Sequence, residues 1–294
     1  MAEFYSFVNA KGVSIDINDG VNYHTLGRDN AGLPTPTIYR RQAPYQRGHT
    51  FVKSRYTARQ LTLRMLMRGS DYADLLQRQT ALAKVISSEI GEGILTVITE
   101  EGFTRALQCV YSGGLEYDGA SKVGPFARRV SLVFEAADPT WYDPVITTTT
   151  FSGSGTGLVF PQTLPWTFVN SGASIGSPYT FEYTGTVESA PIFVLTGPMT
   201  NPVFEHVDPN GVTRFLKLNT SIPIGGTVEV DFRFGKKTTT LTAYNSTFDL
   251  NYTIAESSEY WNISEGWNTV MLSVEAPTPG GTATMSYYKR YLTI

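Results

Sequence analysis

Cysteine is almost missing from this 294-residue chain. Cys109 stands alone, which excludes an internal disulfide framework and any zinc site built on several thiolates. In an apolar strand run, it reads as a buried inert thiol. Histidine is nearly as scarce: His24, His49 and His206 are spread over the chain with no HxxxH or HxH pair. They read as surface or turn residues rather than metal ligands. No uninterrupted apolar stretch reaches the roughly 18 residues that a membrane span needs. The start, Met1-Ala2-Glu3-Phe4-Tyr5, lacks the basic-then-apolar form of an export signal, so synthesis and folding in a cytoplasm are expected. Charge is sparse at 17% of residues, with a net of −3. Residues 1–144 hold 16 Lys and Arg against 15 Asp and Glu, and the remainder holds 7 against 11. Neither half has the positive excess of a sequence-reading nucleic-acid binder.

What is abundant favours strands. Aromatic residues make up 13% of the chain, with 27 glycines and many Thr and Val. In the segment 3–17, Phe4, Phe7, Val13, Ile15 and Ile17 alternate with polar residues around a turn at Asn9-Ala10-Lys11-Gly12. Leu61, Leu63, Met65 and Met67 alternate with polar or basic neighbours in a half-buried strand, the Met pair as core filler. A helix follows, capped by Ser70 or Asp71. Tyr72, Leu75, Leu76, Leu82, Val85, Ile86 and Ile90 fall on one face, and Gly91 stops it. Strands resume at 93–98, 105–110 and 128–135. Strands, one helix and strands again define an α+β unit. Asp138-Pro139-Thr140-Trp141-Tyr142-Asp143-Pro144 closes it. The expected division is a domain over 1–144, a linker over 145–160 and a second domain over 161–294. That second domain shows no helical period. Short alternating runs separated by turn clusters, such as Asp208-Pro209-Asn210-Gly211, Gly225-Gly226 and Pro277-Thr278-Pro279-Gly280-Gly281, predict a β-sandwich.

The stretch from Gly20 to about Thr57 is unusual. It is rich in Gly, Pro, Arg and Tyr and poor in aliphatic residues, and compact domains rarely carry so long a polar excursion without a reason. It reads either as a long surface loop or hairpin, or as an arm reaching onto a neighbouring subunit, because Arg and Tyr are enriched at interfaces.

No catalytic constellation emerges. The Gly153-Ser154-Gly155-Thr156-Gly157 run has no Gly-Lys-Ser/Thr after it and reads as linker. There is no Gly-x-Ser-x-Gly elbow. Asp138 and Asp143 flank prolines and are expected to serve a turn rather than act as a glycosidase pair. Trp166, Trp261 and Trp267 could form a sugar-stacking platform, but core or edge packing is favoured. A galectin-type sugar site needs His, Asn and Arg clustered near a Trp, and no such cluster is visible in the second half. Four Asn-x-Ser/Thr sequons, at Asn219, Asn245, Asn251 and Asn262, carry little meaning without export. No cofactor, no metal and no enzymatic activity are expected.

The order of these parts resembles the distal tail proteins of siphovirus-type bacteriophages, the siphovirus tail component family. In the first half the resemblance lies in Arg55 to Gly69, the capped helix from Ser70, Gly93-Ile94-Leu95, Arg129 to Phe134, and Asp138 to Tyr142. In the second it lies in Gly172, Ser177-Pro178, Ala190-Pro191-Ile192, Gly197-Pro198, Asn201-Pro202-Val203, Leu216 to Leu218, Gly225-Gly226-Thr227 and Ser264-Glu265-Gly266-Trp267-Asn268. The last of these is similar to a Gly-x-Asn turn that feeds a late strand of the family's galectin-like sandwich.

The resemblance implies a mainly β protein, an N-terminal belt domain with one helix and a long arm followed by a galectin-like β-sandwich. It implies a homohexameric ring at the tail tip of the virion, docked to the tail tube protein and the tail-associated hub protein, with the sandwiches near the receptor-binding apparatus. DNA would pass through the ring without sequence-specific binding, and no membrane insertion is implied. A carbohydrate-binding tail protein that contacts the host surface is the alternative. Cyclic rings need one face of a subunit to dock on a different face of the next. Arg40, Arg41, Tyr45, Arg47 and Arg55 are the candidate interface residues.

Overall fold

A computed structural model describes residues 3–117, 121–152, 173–174, 178–275 and 281–294. Two compact units emerge, one comprising Met1–Pro144 with Tyr291–Ile294 and the other Val145–Arg290. The N-terminal unit contains strands β1 (Phe4–Val8), β2 (Ser14–Asp16), β3 (Tyr23–Asp29), β4 (Pro36–Arg41), β5 (Thr50–Tyr56) and β6 (Arg59–Arg68). Helix α1 (Tyr72–Ile86) and strands β7 (Gly93–Ile98), β8 (Thr104–Gly113), β9 (Lys122–Gly124), β10 (Ala127–Ala136) and β11 (Trp141–Tyr142) complete it.

The main sheet runs β2-β1-β7-β8-β10-β6-β3. Its two ends are tied by side chains. Arg28 of β3 donates to Glu3 at 2.6 Å and to the Tyr5 hydroxyl at 2.8 Å, and the Thr25 amide donates to Asn18 Oδ1 at 3.2 Å. The alternation along β6 is complete: Arg59, Leu61, Leu63, Met65 and Met67 point inward. The four apolar ones meet Tyr5, Phe7, Leu95, Val97, Leu107 and Phe134 in one core. The β1–β2 turn is held by Asn9, whose Oδ1 accepts from the amides of Lys11 and Val13.

Asp71 caps α1, its Oδ1 accepting from the Asp74 amide at 2.8 Å. Asp74 in return accepts from the Ser70 amide and from Arg78. Gly69 sits where a Cβ would lie 2.6 Å from the Leu75 amide nitrogen, so only glycine lets the chain turn this tightly into the helix. The helix ends at Ile86, and a short 3-10 turn, Ser88–Ile90, runs to Gly91. Its buried face is narrower than the sequence pattern suggests. Leu75, Gln79, Leu82 and Ile86 are buried, whereas Tyr72 and Leu76 are exposed.

The C-terminal unit contains β12 (Thr147–Ser152), β13 (Ala173–Ser174), β14 (Tyr179–Tyr183), β15 (Ile192–Thr196), β16 (Met199–Thr200), β17 (Val203–Val207), β18 (Thr213–Lys217), β19 (Ser221–Ile222), β20 (Thr227–Asp231), β21 (Thr238–Ala243), β22 (Ser246–Asp249), β23 (Gly266–Val274) and β24 (Thr282–Tyr287). One sheet runs β12-β24-β15-β20-β21-β22. The other runs β13-β23-β17-β18, with β14 also on β23. Their inner faces meet through aromatic pairs such as Phe193 and Phe204, with ring centroids 4.4 Å apart, and Phe181 and Tyr287, 5.4 Å apart. The unit is a β-sandwich and the chain is mainly β.

Thr147–Ser152, read from sequence as connection, is instead a strand paired along its length with β24. Threonine's β-branched side chain suits that role. The Gly153–Gly157 run, Trp166, Gly172, Ser177 and most of the 277–281 turn cluster lie outside the described residues.

Candidate functional site

Within the polar stretch 20–57, the structure separates two parts. Tyr23–Asp29 is a strand of the main sheet, paired with β6 across an irregularity between Thr25 and Gly27. Only β4 and β5 leave the body, as a two-stranded ribbon of their own. Every residue of both strands is exposed. No hydrogen bond, ion pair or ring contact links residues 36–56 to the rest of the described residues.

The arm's internal order is considerable. Thr37 pairs with Arg55, Tyr39 with Lys53, Arg40 with Phe51 and Arg41 with Thr50, with a shift between Tyr39 and Arg40. Lys53 Nζ lies 5.2 Å from the centre of the Tyr39 ring. Pro36 opens β4, where an edge strand tolerates its missing N–H. At the tip, Gln46 Oε1 accepts from the Ala43 amide and Gln46 Nε2 donates to Thr50 Oγ1, both at 3.0 Å. Tyr45 there adopts a left-handed φ of 64° and is fully exposed.

The five sequence-derived candidates are therefore on one hairpin: Arg40, Arg41 and Arg55 on its strands, Tyr45 and Arg47 in its tip. Lys53, absent from that set, joins them. Residues 33–57 contain five Lys and Arg and no Asp or Glu. Ile38, Tyr39, Phe51, Val52 and Tyr56 add exposed apolar surface. A two-stranded hairpin alone in water is marginally stable at best, and its open edges invite pairing.

The root of the arm is built on Arg59, which the sequence reading passed over although it lies in phase with Leu61, Leu63 and Met65. The side chain is 2% exposed. Nη1 donates to the carbonyls of Asn30 (2.8 Å) and Gly32 (2.6 Å), Nε to Pro139 O (2.7 Å) and Nη2 to Leu292 O (2.7 Å). Its guanidinium also lies 5.6 Å from the Trp141 ring centre. Burial lowers its pKa to about 10, and its hydrogen-bond partners among the described residues are carbonyl dipoles. Thr57 closes the root by donating to Thr35 O through Oγ1 at 3.0 Å.

The sandwich corrects two expectations. His206 is not a surface residue: it is 0% exposed, stacked on Trp261 with ring centroids 4.3 Å apart, and its Nε2 is 2.9 Å from Asn268 Oδ1. Asn268 in turn donates to the carbonyls of Ser264 and Gly266, locking the Gly-x-Asn turn. Arg214 pairs in register with His206. A His, Asn, Arg and Trp cluster therefore does exist, which sequence spacing concealed. It faces the core: Asn268 is fully buried, Trp261 nearly so, and Arg214 is tied to Asp208 at 3.0 Å. A sugar has no access to it. Trp267, expected in core or edge packing, is 63% exposed because it takes the outward phase of β23 beside Asn268.

Among the described residues, catalytic groups do not assemble. Asp138 accepts from the amide and hydroxyl of Thr140 and so serves its turn. Burial pushes the Cys109 thiol up to about 12. Among the described residues no three His, Cys, Asp or Glu side chains could hold a metal ion, and no helix is long and apolar enough to cross a membrane. A solvent-open cleft of about 660 Å³ on the N-terminal unit, lined by Leu26, Arg64, Glu116, Arg129 and Ser131 among others, contains neither histidine nor cysteine.

Residues 18–127, from the end of β2 to the start of β10, match the family described as phage tail protein RIFT-related domain. No curated protein matches the chain. Among solved structures, it is similar to SPP1 Dit, described as a paradigm of hub adsorption apparatus in phages that infect Gram-positive bacteria. The TM-score is 0.67 at 16% identity, over 97% of this chain and 98% of that one. It is also similar to a chain of the phage P2 baseplate in its activated conformation with Ca, with a TM-score of 0.57 at 12% identity over the full length of both. The segment 18–127 thus carries a phage tail protein domain, and nearly the whole chain shares the fold of SPP1 Dit. Its resemblance to the siphovirus distal tail proteins holds by family for the segment 18–127 and by fold for nearly the whole chain.

Proposed function

We propose that this chain is the distal tail ring itself: a homohexamer whose N-terminal belt domains surround a channel for DNA. The ring connects the tail tube protein above to the tail-associated hub protein below. The sandwich domains face the receptor-binding apparatus. The protein is made in the host cytoplasm and acts by shape and docking, without catalysis or cofactor.

The observation that carries this reading is the arm. A ribbon with five cations, no acid and exposed aromatics, standing clear of its own domain, needs a partner to bury it. Because the arm differs from any surface that receives it, each copy grips the next head to tail, and such contacts close into rings when the rotation allows. The segment 1–144 is near neutral, with 16 Lys and Arg against 15 Asp and Glu, which suits a passage for DNA that must not hold it.

Electron microscopy of the purified full chain and of intact particles tests this. Six-fold rings at the tail tip are expected. Particles lacking the chain from that position, or a purified protein that is monomeric by light scattering and shows no ring in micrographs, would overturn it.

A further inference from the structure

An arm that grips a second copy needs a receiving surface of opposite charge and matching apolar content. Charge is segregated within the segment 1–144. Residues 33–57 take five of its 16 Lys and Arg and none of its 15 Asp and Glu, leaving 11 against 15, a net charge of −4, on the body.

One face of that acidic body is also apolar and uncovered. On the outer side of β1 and β7, Phe4 stands in register with Ile98, and the two are 55% and 41% exposed. Ile94 lies on the same face four residues along β7, about 13 Å away, and is 43% exposed. Phe103, 60% exposed in the β7–β8 turn, is not part of this strip: it lies on the other side, with the Arg105 guanidinium 5.8 Å from its ring centre. Exposed acids bracket this strip. Glu100 and Glu101 sit in that turn, and Glu92 precedes β7 at the other end, where Gln108 Nε2 donates to it at 2.7 Å. The neighbouring Arg105 is on the opposite face of β8, its guanidinium 3.8 Å from the Tyr291 ring centre.

We infer that the arm of one copy docks on the outer β1–β7–β8 face of the next. The inference rests on the ring reading and names its interface. Ile38, Phe51, Val52 and Tyr56 of the arm cover the Phe4, Ile94 and Ile98 strip, while the arm's arginines meet the acids at both ends of β7. Exposed charges of opposite sign steer such an encounter and are screened by salt. Apolar groups on both surfaces favour a protein partner over a polyanion.

Charge reversal in the full-length chain tests the pairing, read by sedimentation at low and high salt. One variant carries R40E and R55E on the arm, the other E92R and E101R on the face. All four sites are exposed, so thermal melts should match wild type. Each variant alone should self-associate at least about tenfold more weakly than wild type. An equimolar mixture should recover association, because the reversed arm fits the reversed face and each wild-type arm fits a wild-type face. Wild-type association should weaken as salt rises.

If the face variant associates like wild type while the arm variant does not, this receiving surface is wrong and the ring reading survives. The same holds if both variants weaken and the mixture fails to recover. If the arm variant associates like wild type, the arm does not carry the contact and this interface falls, whereas the ring reading falls only if the wild-type chain itself forms no ring. Wild-type association that is indifferent to salt would overturn the inference even if a variant failed to fold.

Discussion

Arg59 shows how much a single side chain can organise. A guanidinium presents five N–H donors in a fixed fork, and here four of them reach carbonyls from three separate stretches of chain: Asn30 and Gly32, Pro139, and Leu292. Hydrogen bonds to charged groups are worth about 1.5–3 kcal/mol each, and removing the donor strands buried acceptors. Arg59→Ala should therefore destabilise the N-terminal unit by roughly 3–5 kcal/mol, read from its urea midpoint. Arg59→Lys should rescue little, because a point charge cannot span four carbonyls. His206 supplies a second prediction at this scale. Burial lowers its pKa, outweighing the opposing effects of Asn268 and Asp208. The unfolded chain then binds the proton first, so the contribution is intact above the unfolded pKa of about 6.5 and is lost as pH falls toward the lower folded value. Melting of the sandwich should fall in that window. In His206→Gln the slope there should flatten, even though overall stability drops. The Asp208 carboxylate is held below its ordinary value by the Val212 amide and by Arg214, so its loss comes only in more acidic solution.

At the scale of the element, the arm can be separated from the fold that carries it. No side chain of β4 or β5 enters the core, and the cost of closing a loop changes slowly with its length. Replacing residues 36–56 by a short Gly-Ser turn, with the Arg59 root intact, should leave the melting of the N-terminal unit within about 1 kcal/mol of wild type. Self-association should be lost. A large fall in stability would show that the arm packs on its own domain. The arm was legible because a long stretch rich in Gly, Pro, Arg and Tyr and poor in aliphatic side chains cannot build a core. Its inner boundary was not: Tyr23–Asp29 has only one buried residue, Tyr23, so pairing with β6 left no alternation to read. The β6 alternation was plain, yet its first inward member was overlooked because an arginine is rarely fully buried. Asp71 as cap followed from local chemistry, whereas the exposure of Tyr72 and Leu76 depended on how narrow a strip the sheet covers. In the sandwich, His206, Trp261 and Asn268 lie 55 and 62 positions apart from the histidine outward, a meeting that only strand register creates.

At the scale of the whole molecule, the chain builds two cores but does not assign them to two uninterrupted halves. Its last residues, Tyr291–Ile294, belong to the N-terminal unit. Tyr291 and Ile294 pack against that unit's core, the Tyr291 ring lies under Arg105, and Leu292 gives Arg59 one of its four acceptors. Among the described residues, the sandwich core by contrast runs from Phe151 to Tyr287. Truncation after Arg290 therefore removes no residue of the sandwich core and several contacts of the other. Two thermal transitions are expected for the full chain. In the truncated chain the transition of the N-terminal unit should move down by several degrees, since about 1 kcal/mol shifts a domain of 150 residues by 2–4 °C. The sandwich transition should stay in place. Hydrogen exchange should rise at the amides of Asn30 to Gly32 and around Pro139, the segments that share Arg59 with the tail. Equal shifts in both transitions would mean that the two cores unfold as one. An unchanged N-terminal transition would mean that the tail merely rests on that unit, and that the root of the arm is set by Arg59 and its three remaining carbonyls alone.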